Sequence, residues 1–180
     1  MMDREHSCCF TGHRPQKLPW GFSENDTRCV ELKRKLRSAI KLAITHGITM
    51  FYTGMAMGTD LWAAEIVLDL RGELQEPGIR LVAVIPHSGQ ESKYPEDLKQ
   101  RYRKIIGQAD DTIVLQDHYT DGCMQRRNRF MVDNSSMLIA VYSGAGGGTG
   151  YTFDYAKERK LKIIWIDPVT GRIRTNFNIR

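Results

Sequence analysis

No stretch of this 180-residue chain approaches the roughly 20 consecutive apolar residues that a helix needs to cross a bilayer, so no membrane partner is expected. The first six residues, Met1 to His6, are polar and lack the apolar core of a secretory signal. Cysteine is scarce. Cys8, Cys9, Cys29 and Cys123 form no C-x-x-C pair and are expected to be reduced and mostly buried in a cytoplasmic protein. Internal repeats and low-complexity segments are absent. Lysine is missing between Gly144 and Tyr155, so the glycine-rich stretch there is not a Walker A loop. The dinucleotide fingerprint G-x-G-x-x-G is also missing after the first apolar run, where the chain reads Thr11-Gly12-His13-Arg14. His13, His87 and His118 each follow an apolar run, but their spacing matches no ligand motif, and neither a metal nor a cofactor is called for.

What remains is an ordinary globular composition, 41% apolar and 26% charged, long enough for one domain over residues 1–180. The net charge of +5 permits an anionic partner without demonstrating one. Short apolar runs alternate with amphipathic ones. Strands are expected at Ser7–Phe10, Met50–Thr53, Arg80–Ile85, Thr112–Gln116, Met137–Tyr142 and Lys162–Ile166. Helices are expected over about Asn25–Thr45, from Asp60 through Leu70, Pro95–Ala109, Gln125–Asp133 and Thr149–Arg159, with Arg71–Gly78 as a loop. Continuous apolar strands alternating with helices predict a mostly parallel sheet covered on both faces. That is an α/β, three-layer α/β/α sandwich of Rossmann-like type.

Parallel strands end on one edge, and ligands of open α/β sheets bind there. The unusual polar and glycine segments follow strands: Thr11-Gly12-His13-Arg14, Gly54 to Asp60, Pro86-His87, and Ser143 to Gly150. Two of them, Gly54-x-Ala56-x-Gly58-Thr59-Asp60 and Gly144-x-Gly146-Gly147-Gly148-Thr149-Gly150, join a strand to a helix. A helix N-terminus exposes unpaired N–H groups and partial positive charge, which suits a phosphate or carboxylate. A nucleotide-like small molecule spanning both loops is therefore expected, with Arg14 as a further contact; Arg126-Arg127-Asn128, opening the fifth helix, offers the same anion a planar fork or is simply a solvated helix end. Asp60 and Asp154, in the first turns of the two helices, are the candidate catalytic carboxylates. Dipole stabilisation is the leading reading for Asp154 and an equal one for Asp60.

The ordered set Thr11-Gly12-His13-Arg14-Pro15, Thr53-Gly54-Met55-Ala56-x-Gly58-Thr59-Asp60, Arg127-Asn128-x-x-Met131-Val132-Asp133 and Gly147-Gly148-Thr149-Gly150-x-Thr152 resembles the SLOG superfamily, most closely its YpsA-like branch. The resemblance covers about Cys8 to Asp167. It implies a Rossmann-like fold and binding or sensing of a nucleotide, nucleotide sugar or ADP-ribose-like ligand. Two superfamily members widen the choice. DNA-processing protein A implies single-stranded nucleic-acid binding, here supported only by net charge and not favoured. LOG phosphoribohydrolases imply N-glycosidic cleavage of a nucleoside monophosphate, or a deoxyribosyltransferase-like reaction. Their loop, P-G-G-x-G-T-x-E-E, laid on Gly147-Gly148-x-Gly150 puts Tyr151 at the threonine, Phe153 at the first glutamate and Asp154 at the second. The resemblance thus favours holding a ligand over cutting it. A homodimer through sheet-flanking helices is compatible with it.

Overall fold

A computed structural model describes residues 3–179. The six expected strands pair in parallel: β1 (Ser7–Gly12), β2 (Met50–Thr53), β3 (Arg80–Ile85), β4 (Asp111–Val114), β5 (Met137–Val141) and β6 (Lys162–Ile166). A seventh, β7 (Ile173–Thr175), runs antiparallel to β6 and gives the order β4-β3-β2-β1-β5-β6-β7. Strand order therefore reverses at β1, whose two neighbours are β2 and β5.

Among the described residues five α-helices complete three layers. On one face α1 (Thr27–Thr45), α2 (Thr59–Leu74) and α3 (Glu96–Gln108) cover Cys8, Phe10, Phe51, Leu81, Ile139 and Ile164. On the other, α4 (Cys123–Asp133) and α5 (Gly148–Glu158) cover Cys9, Tyr52, Val82, Leu138 and Ile163. Neighbouring residues of a strand point to opposite faces, and both sets are buried, which is why the strands read as unbroken apolar runs.

Several boundaries move. β1 continues two residues past Phe10, because Thr11 and Gly12 stay in register with Ala140 and Val141. The expected loop Arg71–Gly78 is helical as far as Leu74, and α2 ends where Gln75 turns left-handed. β4 starts one residue early and stops at Val114. α1 begins at Thr27 because the Asp26 side chain caps it, accepting from Arg28 N–H at 2.9 Å. α4 begins at Cys123 behind Gly122. β7 was legible only as turn signals and arginines, since three residues are too short to show a period.

The connection from β1 to α1 carries residues to the sheet edge and is anchored by Glu24. Its carboxylate accepts from Trp62 Nε1 at 2.9 Å, from Arg101 at 2.6 Å and from Lys33; Arg101 in turn grips Glu65 at 2.6 Å. Partial burial would raise the Glu24 pKa, but the hydrogen bonds from Arg101, Lys33 and Trp62 outweigh it and hold it at about 2. All four cysteines are free and buried.

Candidate ligand-binding cleft

A cleft of about 400 Å³ opens at the carboxyl edge of the sheet, where β1 lies between β2 and β5. This is the crevice position at which open α/β sheets take ligands. Thr11 and Gly12 line it from the end of β1 and Arg14 from the turn after it, Ala56 from the loop before α2, Asp60 from the first turn of α2, and Arg127 and Asn128 from α4. Gly148 and Thr149 close it from the N-terminus of α5. The expected convergence therefore occurs for three of the four segments. The fourth, Pro86-His87, stays outside. His87 binds the Ser88 carbonyl at 2.8 Å and packs edge-on against Tyr119.

The β3 connection still acts on the cleft, indirectly. Buried Gln90 donates from Nε2 to the Gly54 carbonyl at 3.0 Å, and Tyr94 donates its hydroxyl to the Met55 carbonyl at 3.2 Å. Between them they hold Met55 at φ 57°, a left-handed conformation costing a non-glycine residue on the order of 1–3 kcal/mol. Met55 N–H also donates to Thr53 Oγ1 at 3.2 Å, so the strained loop is fixed from three sides.

Both α2 and α5 start behind a glycine at positive φ, Gly58 at 88° and Gly147 at 97°, and neither has a side-chain cap. The first N–H groups of each helix are thus left for another partner. The other glycines divide into two groups. Gly12 and Gly54 are packing contacts: a Cβ on Gly12 would lie 2.2 Å from Thr59 Oγ1, and one on Gly54 would lie 2.2 Å from Arg127 Nη1. Gly150 likewise sits under the Tyr142 hydroxyl, 2.8 Å from where its Cβ would be. Gly144, Gly146 and Gly148 face open space. Thr59, whose hydroxyl reaches the His13 carbonyl at 3.4 Å, is buried behind the wall.

Arg127 dominates the electrostatics. Only 4% of it is exposed, and it is not ion-paired with any carboxylate among the described residues. Its Nη1 donates to the Gly54 carbonyl and its Nε to Asn128 Oδ1 at 2.7 Å. Asn128 passes the contact on to Thr152, which donates to the Gly148 carbonyl at 2.8 Å. Burial lowers the Arg127 pKa, and nearby Asp60 only partly opposes this. Asp60 is buried too. Its Oδ2 accepts from Ala56 N–H at 3.3 Å, and burial raises its pKa against the pull of Arg127 and Arg14. Both shifts have the sign of desolvation, as expected for charges close enough to attract but not joined in an ion pair.

His13 and Ser143 form a latch between the β1 and β5 ends. Ser143 N–H donates to His13 Nε2 at 3.2 Å and the Ser143 hydroxyl lies 2.9 Å from the same nitrogen. Nε2 is therefore an acceptor, the ring proton sits on Nδ1, and Nδ1 is buried without a partner. Burial, then Lys17, lowers the His13 pKa.

Asp154 is not brought to the cleft; it lies exposed on α5. Phe153, at the position of the related glutamate, is a core residue 5.3 Å from the Tyr142 ring and 5.2 Å from Trp165. Among the described residues no three His, Cys, Asp or Glu side chains gather as metal ligands would. Sequence reasoning missed Gln16, Lys17 and Met124, which also line the cleft. Lys17 sits on a single 3₁₀ turn, Pro15–Lys17, with its ammonium 3.0 Å from where a Gly147 Cβ would be. Its nearness to Arg14 was the available signal.

A family model described as the YspA SLOG family matches residues 8–167. A UPF0398 protein of Bacillus velezensis is 28% identical over 153 residues, 83% of this chain and 82% of the relative. One from Bacillus thuringiensis is 29% identical over the same length, 83% and 81% of the two chains. Among solved structures, DNA processing protein A from Streptococcus pneumoniae superposes with TM-score 0.59 at 17% identity, covering 89% of this chain and half of that one. The Helicobacter pylori protein of the same name, described for its single-stranded DNA binding mode, gives TM-score 0.60 at 15% identity, covering 92% and 67%. At those identities the likeness establishes the Rossmann-like fold. No helix among the described residues is long and apolar enough to cross a membrane.

Proposed function

The chain belongs to the YspA SLOG family, and from that premise we propose that the cleft binds a phosphorylated, nucleotide-derived small molecule in the cytoplasm. The observation that carries this reading is Arg127, a guanidinium 4% exposed in the cleft wall with no carboxylate pairing it. Asp60 lies near enough to attract it but forms no ion pair with it, so the buried guanidinium keeps a desolvation cost that an anionic ligand would offset. Arg14 and Lys17 add positive charge at the mouth, and the uncapped start of α5 supplies N–H donors at Gly148 and Thr149. Asp60, the acidic group among the lining residues, is suited to accept hydrogen bonds from ribose hydroxyls. About 400 Å³ lies in the range of small-molecule sites.

Melting shifts with AMP, ADP-ribose and NAD test the proposal. At least one should stabilise the protein, and Gly148→Glu, which projects a carboxylate into open space, should abolish the shift without unfolding the chain. No shift with any of the three would sink it.

A second reading, cleavage at the N-glycosidic bond, is favoured by one feature. Asp60 is a buried carboxyl in the cleft whose pKa burial raises, the direction that favours a proton-donating role in a carboxyl. Base release from nucleoside monophosphates that disappears in Asp60→Asn would establish it. Binding without base release would leave the sensing role alone.

A further inference from the structure

Buried hydroxyls without a partner are rare, and one of them points to a second cavity. Tyr52 is fully buried, yet its hydroxyl forms no hydrogen bond among the described residues. It lines a cavity of about 380 Å³ at the other end of the strands from the cleft. Met50, Arg80 and Asp111, the residues that open β2, β3 and β4, line it too. The cavity lies on the sheet face that α4 and α5 cover, but α4 packs on β1 and β3 and leaves this corner open. None of its residues lines the cleft.

Strand register brings the polar groups together. Tyr52 pairs with Val82 and Val82 with Asp111, so the three stand side by side in one row, and Arg80 stands beside Met50 in the row before. With strands about 4.8 Å apart and a rise of about 3.3 Å per residue, the Arg80 and Asp111 Cα atoms are about 8 Å apart. Both side chains can therefore reach one small molecule. Neither is in an ion pair among the described residues. Asp111 accepts from the Thr112 N–H through Oδ1 at 2.8 Å, which leaves Oδ2 free. Asp110, the other carboxylate on the wall, is taken by Arg71 Nη1 and the Leu81 N–H, each at 2.8 Å.

Burial raises the Tyr52 pKa; the nearby Ser7 hydroxyl and Arg80 oppose this, and Asp111 adds to it. Both charges thus act on the phenol, while the Ser7 hydroxyl donates to the Asp3 carbonyl. The cavity offers one cation, one anion and a buried hydroxyl, set over an apolar wall of Met50, Val82 and Ile113. A plain carboxylate or phosphate would gain Arg80 but be repelled by Asp111, and a plain amine would meet the reverse. The complement carries both charges on neighbouring atoms beside an apolar body, which describes a free α-amino acid.

We propose that this corner of the sheet is a second binding site, for a free α-amino acid with an apolar side chain. Its carboxylate would accept from Arg80 and the Tyr52 hydroxyl, and its ammonium would donate to Asp111. The side chain would cover Met50, Val82 and Ile113. A volume of about 380 Å³ is at the small end of ligand sites, as a molecule of this size requires. The site is separate from the cleft and stands or falls without it.

Calorimetric titration of the full chain with L-leucine, L-methionine and L-phenylalanine tests this. At least one should bind at millimolar concentration. Analogues lacking one charge (4-methylpentanoate and 3-methylbutylamine in the case of leucine) should bind at least about 10-fold more weakly, since a charge-assisted contact is lost. Arg80→Gln and Asp111→Asn should each weaken binding by about 10-fold or more for the same reason. Both side chains are exposed, so these variants should keep the wild-type melting temperature. Tyr52→Phe should also weaken binding, yet melt no lower than wild type without ligand, because it removes an unpartnered buried hydroxyl. The cleft variant Gly148→Glu should bind the amino acid as wild type does. Five results would each overturn the proposal: no binding by any of the three amino acids, single-charge analogues that bind as tightly, undiminished binding in Arg80→Gln and Asp111→Asn, loss of binding in Gly148→Glu, or a ligand-free Tyr52→Phe that melts well below wild type and so assigns the hydroxyl to the fold.

Discussion

Replacing Arg127 by methionine separates a residue kept for the ligand from one kept for the fold. The guanidinium makes two hydrogen bonds inside the chain, to the Gly54 carbonyl and to Asn128 Oδ1. Hydrogen bonds from a charged donor contribute about 1.5–3 kcal/mol each, so their removal costs roughly 3–6 kcal/mol. Against this, the variant no longer buries a charge that is 4% exposed and unpaired by a carboxylate, a penalty of several kcal/mol. The two terms are of similar size, and methionine fills much of the vacated volume. The expected net change is within about 2 kcal/mol of zero, or roughly 4–8 °C in melting temperature for a domain of this length. Ligand binding should respond differently. Losing one charge-assisted hydrogen bond to phosphate, about 1.5–3 kcal/mol, weakens binding by roughly 10- to 100-fold. The assay is thermal unfolding with and without ADP-ribose. At a hundred times its dissociation constant a ligand adds about 2.7 kcal/mol to wild-type stability. The variant should lose roughly 1.3–2.3 kcal/mol of that increment, from half of it upward, while its ligand-free melting temperature stays close to wild type. A large fall in ligand-free stability with an undiminished ligand increment would refute the reasoning and make Arg127 a structural residue.

Other outcomes follow from the same geometry. Gly12→Ala should destabilise by about 1–3 kcal/mol in urea unfolding, because its Cβ would meet the Thr59 side chain at 2.2–2.5 Å, whereas Gly148→Ala should stay within about 0.5 kcal/mol. Phe153→Glu, which restores the glutamate of the related hydrolases, should lose about 4 kcal/mol or more, because it empties an aromatic cluster and buries a carboxylate in its place. It should gain no base release, as Phe153 does not face the cleft; activity in a folded variant would contradict this. His13 has a pKa lowered in the folded state, so the unfolded chain takes up the proton first. Stability should therefore be full above the ordinary histidine pKa of about 6.5 and decline as pH falls below it. His13→Asn should flatten that decline between about pH 7 and 5, and an unchanged profile would remove His13 as its source.

The sequence determined the layers. Apolar runs without alternation require strands buried on both faces, and the buried sets Cys8/Phe10 and Cys9/Leu138 lie on opposite sides of the sheet as that requires. It also determined that Thr11, Asp60 and Gly148 would meet, because parallel strands deliver their carboxyl ends to one edge. The tertiary structure alone decided what each residue does there. Equivalent glycines in the sequence became packing contacts at Gly12 and Gly54 and open positions at Gly146 and Gly148, according to whether Thr59 or Arg127 happened to lie behind them. Arg127 and Arg126 are adjacent arginines on one helix, yet the helical turn buries the first in the cleft wall and leaves the second at the surface. Asp60 and Asp154 hold similar places after two glycine loops, but one is buried beside Arg127 and the other is exposed. Periodicity fixes which face of an element is apolar. What stands opposite that face, and so which charge loses its water, depends on contacts between residues far apart in the chain.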